Sequence, residues 1–81
     1  MTWIKICGIT NPEDARESVA AGANALGFVF YEKSPRRVKV ETVKSIVVDL
    51  PLKVEKIGVF VNETVEGVQR IVTETGSLVD G

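Results

Sequence analysis

Two rhythms alternate along this chain: short, nearly unbroken apolar runs, and longer stretches in which apolar positions fall three and four apart. The first is the signature of strands, the second of helices with one buried face. Residues 3–7 are apolar apart from Lys5 and predict a buried first strand. Asn11 then suits a helix cap, Pro12 the first helical position, and Asp14 the place from which a carboxylate reaches back to the cap. Ala15, Val19 and Ala20 share the inward face of that helix, and Gly22 stops it. Residues 25–30 predict a central strand buried on both faces, as parallel strands are. Gly27 within it predicts a close approach of neighbouring backbone. Residues 31–37 are polar, contain Pro35 and predict a loop. Val43, Ile46, Val47 and Leu50 mark a second helix over residues 40–50, closed by Pro51 and lacking a good cap at its start. Residues 56–61 predict a third strand. Asn62 is the expected cap of a third helix, with Val65, Val68, Ile71 and Val72 facing inward and Gly76 as its stop. Leu78 and Val79 suit the start of a fourth strand.

The order strand, helix, strand, helix, strand, helix implies an α/β fold in which right-handed crossovers join parallel strands. Every strand then ends on the same side, so Cys7, the loop over residues 31–37 and Asn62 are expected to face one surface. Three strands and a stub leave two open sheet edges, which invites pairing with further strands. The 81 residues therefore form one domain over residues 1–81, expected to be an incomplete unit. Burial in so short a chain barely offsets conformational entropy, so in isolation it is expected to be marginal unless it associates.

Composition narrows the function classes. With 10 basic and 11 acidic residues interspersed, a net charge of −1 gives no field that would gather nucleic acid or an anionic membrane. No apolar run approaches the roughly 20 residues of a membrane span. One cysteine and no histidine leave neither an internal disulfide nor a zinc set. The amino terminus has no secretory pattern, and a cytoplasmic location is expected. The chemistry that remains is at Cys7, a lone thiol where a strand ends, the edge at which parallel α/β proteins gather ligands. A small buried hydrophobe is the ordinary alternative for such a cysteine. The sequence from Gly8 to Asn11 is neither a phosphate-cradling loop nor a dinucleotide fingerprint, which weakens a reading as a small doubly wound phosphate-binding domain.

Three motifs carry a resemblance. Residues 5–10 (Lys5, Ile6, Cys7, Gly8, Ile9, Thr10), residues 27–36 with Gly27 and Arg36, and residues 58–63 from Gly58 to Glu63 are similar, in order and separation, to the first three βα units of phosphoribosylanthranilate isomerase. That likeness implies a parallel (βα)3 unit forming the N-terminal part of a (β/α)8 TIM barrel. It implies an Amadori rearrangement of N-(5-phosphoribosyl)anthranilate in tryptophan biosynthesis, with no metal or organic cofactor. Carried over by position, Cys7 matches the general base and Arg36 the arginine that binds the anthranilate carboxylate. Arg37 departs from the family pattern and suits a surface role, as Lys5 suits packing along the strand and Asn62 a cap. Asp80 is assigned no catalytic part. The family's general acid, on a later strand, and its phosphate-holding loops have no counterpart here, and residues 77–81 lack the paired histidine and glycine expected of a fourth strand. The expected partners are therefore a phosphosugar substrate together with a complementary barrel segment or further copies of this chain. A non-enzymatic assembly unit pairing through open edges is the alternative.

Overall fold

The strand and helix alternation runs on into a fourth strand. A computed structural model describes residues 2–61, 63–76 and 78–80, with β1 (Lys5–Ile6), α1 (Pro12–Ala20), β2 (Ala25–Val29), α2 (Val40–Val48), β3 (Glu55–Val59), α3 (Val65–Thr75) and β4 (Leu78–Asp80). The strands pair in chain order, β1-β2-β3-β4, all parallel. Parallel neighbours cannot be joined by a tight turn, and each helix is the crossover that carries the chain back.

The two faces of β2 show how the core is built. Leu26 and Phe28, both fully buried, point to the helices and pack with Ile9, Ala15, Ala23, Val43, Ile46 and Val54. Ala25 and Gly27 alternate with them and occupy the opposite, helix-free face. The expected core positions of α2 hold, with Val43 and Ile46 buried and Val47 and Leu50 against them.

Local signals fix the helix ends. Asn11 Oδ1 accepts from the Asp14 N–H at 2.8 Å, and its amide donates to Asp14 Oδ2 at 3.0 Å. Gly22 (φ +102°) follows α1 and Gly76 (φ +70°) ends α3, both in the left-handed region that glycine enters freely. The start of α2, at Lys39, has no side-chain cap, as expected. Replacing Asn11 by Ala removes the one side-chain acceptor at the start of α1 and is expected to cost about 1 kcal/mol, read as a lower urea midpoint at constant slope. An unchanged midpoint would show that Pro12 and packing alone hold the helix start.

Four expectations are corrected. The cap of α3 is Thr64, whose Oγ1 accepts from the Gly67 N–H at 3.0 Å, while Asn62 lies outside the described residues. Val65, expected inward, is 73% exposed as the first residue of α3, whereas Ile71, also expected inward, is buried. Ala20, expected on the inward face of α1, is exposed at the last turn. The largest correction concerns β1. The ladder holds only Lys5 and Ile6, with Trp3 57% and Ile4 and Ile6 each 38% exposed. Apolar content signalled burial, yet β1 pairs only with β2 among the described residues, so its outer side is open.

The amino ends of the strands are joined by a residue that no sequence pattern singled out. Asn24 Oδ1 accepts from the Ile4 N–H at 2.7 Å and the Asn24 N–H donates to the Ile4 carbonyl at 2.8 Å. Its own carbonyl accepts from the Glu55 N–H at 3.0 Å, so one asparagine ties the starts of β1, β2 and β3.

Candidate active site

Cys7 follows β1 directly, and its exposed side chain lies against Gly27, the middle residue of β2. A Cβ at position 27 would come within 2.9 Å of Cys7 Sγ, closer than such atoms pack, and within 3.2 Å of Cys7 Cα, tighter than ordinary contact. Because Gly27 alternates with the helix-facing Leu26 and Phe28, the thiol occupies the helix-free face of the sheet. In a closed barrel that face is the interior, and its carboxyl end is where ligands bind. The expectation that Gly27 marks a close approach is thus met, and the element that approaches is the residue with the candidate thiol. Gly58 in β3 plays the like part for a stacked ring pair, Phe30 and Phe60, with centroids 5.2 Å apart.

The chain leaves Cys7 through Gly8, with φ +83°, a backbone conformation disfavoured by a Cβ. The N–H groups of Gly8 and Ile9 both donate to the Gly27 carbonyl, at 3.0 and 3.1 Å. These bonds extend the β1-β2 pairing past the last ladder residue and hold the thiol's backbone to β2.

Arg36 reaches the same place from the β2-to-α2 loop. That loop is folded on itself: Ser34 N–H donates to the Tyr31 carbonyl at 3.0 Å, Arg37 N–H to the Ser34 carbonyl at 3.2 Å, and Arg36 N–H to Ser34 Oγ at 3.1 Å. The Val38 N–H then bonds the Val29 carbonyl at 3.0 Å, laying the loop's end back along β2. The Arg36 side chain crosses Gly8, and a Cβ there would meet Arg36 Cδ at 2.7 Å. Cys7, Gly8 and Arg36 accordingly line one cleft of about 450 Å³ along the open edge of β1 and α1, which Asp14 and Glu17 also border.

The neighbouring arginine goes elsewhere. Arg37 lines a second, wider cleft between this loop and α3, with Tyr31, Glu41, Glu63 and Arg70. Arg36 and Arg37, adjacent in sequence, thus line different clefts. Lys5 is half-buried beside β2, and Asn62, the remaining candidate at this rim, lies outside the described residues. Among the described residues no three histidine, cysteine, aspartate or glutamate side chains gather as a metal set.

Four parallel strands in order, helical crossovers on one face, and a thiol with a guanidinium at the carboxyl rim define the opening units of a (β/α)8 barrel. A sequence model of N-(5'-phosphoribosyl)anthranilate (PRA) isomerase matches residues 4–79, and the chain belongs to that family. It is 52% identical over 79 residues to the N-(5'-phosphoribosyl)anthranilate isomerase of Chlorobaculum tepidum, covering 98% of this chain and 36% of that protein. It is 53% identical over 76 residues to that of Thermotoga neapolitana, covering 94% and 37%. The crystal structure of the Thermotoga maritima enzyme superposes with a TM-score of 0.92 at 48% identity, over 95% of this chain and 38% of that one. A phosphoribosylanthranilate isomerase crystallised with reduced 1-(o-carboxyphenylamino)-1-deoxyribulose 5-phosphate matches equally well, with a TM-score of 0.92. The chain spans somewhat over a third of the length of these relatives. The family match runs to residue 79, into β4, whose start at Leu78 and Val79 is as expected.

Proposed function

We propose that this chain supplies the base and the carboxylate-binding arm of a phosphoribosylanthranilate isomerase of tryptophan biosynthesis, as a partial TIM-barrel domain over residues 1–81. A complementary barrel segment contributes the rest of the site. The observation that carries this reading is the meeting of Cys7 and Arg36 at one carboxyl rim.

In the reaction the opened ribose is a protonated Schiff base. The Cys7 thiolate takes the proton from ribose C2, and the electrons of that C–H bond form a C1–C2 double bond as the iminium nitrogen is neutralised. The enolamine then gains a proton at C1 and loses one from the C2 hydroxyl, leaving the ketone. A thiolate beside an open rim suits that first transfer, because a base must reach within hydrogen-bond distance of the proton it takes. Arg36 grips the anthranilate carboxylate through a charge-assisted pair and so holds C2 over the sulfur. The acid that opens the ring and the groups that hold the phosphate come from later strands. Such chemistry on small charged metabolites suits the cytoplasm, and no described helix is long and apolar enough to cross a membrane.

Mixing this chain with the portion of the Thermotoga maritima enzyme that begins at its fourth strand is the direct test. Turnover of phosphoribosylanthranilate is expected in the mixture and in neither part alone; a folded mixture that stays silent overturns the reading. In the active mixture, Arg36→Ala is expected to raise KM about 10- to 100-fold with a smaller change in kcat, since a hydrogen bond to a charged group contributes roughly 1.5–3 kcal/mol. A KM within twofold of the parent would remove Arg36 from substrate binding.

One further observation favours a second reading. The outer side of β1 is unpaired among the described residues, with Trp3, Ile4 and Ile6 exposed beside it, which suits an assembly unit whose copies pair edge to edge. A sharp monomer boundary in sedimentation at micromolar concentration counts against it.

A further inference from the structure

We infer that Gly8 is a positioning residue: its bare Cα is the gap through which Arg36 crosses to the thiol, making the pair a receptor for a small carboxylate. Gly8 is buried, and the Gly27 carbonyl accepts from its N–H, which ties the residue to β2. A side chain at position 8 would meet not the tip of Arg36 but its stem, with Cδ at 2.7 Å, Nε at 3.6 Å and Cβ at 3.7 Å. The base of that stem is itself held, because the Arg36 N–H is bonded to Ser34 Oγ. A side chain at position 8 would therefore displace the arm within the cleft that Cys7 and Arg36 both line. That the carboxylate belongs to anthranilate rests on the isomerase reading; the crossing itself does not.

Alkylation of Cys7 in the full 81-residue chain tests the inference without turnover. The thiolate displaces iodide from iodoacetate or iodoacetamide, forming a C–S bond and breaking a C–I bond, and only iodoacetate brings a carboxylate. The ratio of the two rates reports whether the guanidinium acts at the sulfur. In the parent chain this ratio is expected to exceed that of the same chain in urea by about 3- to 10-fold at low salt, as a nearby cation gathers the anionic reagent. Arg36→Ala is expected to bring it to the urea value. Gly8→Ala is expected to do the same, and to have no further effect when added to Arg36→Ala.

Gly8→Asn separates the gap from the turn. Asparagine tolerates positive φ better than alanine does, yet it still places a Cβ against the arm. A ratio lowered equally by Gly8→Ala and Gly8→Asn supports the inference. A parent ratio equal to that in urea overturns it, as does a ratio unmoved by Arg36→Ala or by Gly8→Asn, or a Gly8→Ala effect of equal size with and without Arg36. If the mixture with the complementary segment fails to turn over while the alkylation ratio behaves as expected, the isomerase reading falls and the carboxylate receptor stands.

Discussion

Replacing Cys7 by Ser is expected to lower kcat of the complemented isomerase by about 10²- to 10⁴-fold, the range that a positioned general base contributes. Serine keeps the shape of the side chain over Gly27, so the rim and the crossing of Arg36 remain in place and KM should move little. What is lost is the available anion, since a hydroxyl gives up its proton far less readily than a thiol. The expected split, kcat down and KM nearly constant, is that of an interaction made in the transition state alone. It is also the reverse of the pattern expected of Arg36→Ala, so the two substitutions separate the base from the binding arm. A Cys7→Ser assembly retaining more than half of the parent kcat would leave the thiol as a packing residue against β2 and remove the mechanism proposed above.

The largest effect on stability is expected at Phe28, the largest of the fully buried side chains, lying between β2 and the helices with Val43 and Ile46. Phe→Ala in a core costs about 3–5 kcal/mol through lost transfer energy and the cavity left behind. Whole domains hold only about 5–15 kcal/mol, and one this small lies toward the bottom of that range. Phe28→Ala is therefore expected to abolish the cooperative urea transition of the isolated chain. Leu52, 96% exposed, gives the contrast: Leu52→Ala is expected within about 0.5 kcal/mol of the parent, because no contact is removed. Equal effects at the two positions would mean that the chain has no packed interior.

The features legible in the sequence share a physical origin: each depends on neighbours a few residues away. Asn11 caps because its side chain reaches the N–H of Asp14, and Gly22 and Gly76 stop helices because their own backbones turn left-handed. Val43 and Ile46 are buried because their spacing places both on one side of α2. The errors have a common origin too. The apolar character of Ile4 and Ile6 does not say whether another strand pairs beyond them. The choice between Asn62 and Thr64 as cap depends on where the chain leaves β3 and meets α3. Ala20 and Val65 are exposed at helix ends, where periodicity gives no anchor.

The candidate site divides along the same line. That a thiol follows the first strand, that a basic loop follows the second, and that the three motifs are those of one isomerase family could be read from the residues alone, since type and order are properties of the chain. That Cys7 lies on Gly27, that Arg36 rather than Arg37 crosses Gly8, and that Asn24 ties three strand ends together were decided by the folded molecule. Those contacts join residues separated in sequence by a whole crossover, and the pairing register of a parallel sheet, which no local pattern encodes, determines which of them meet.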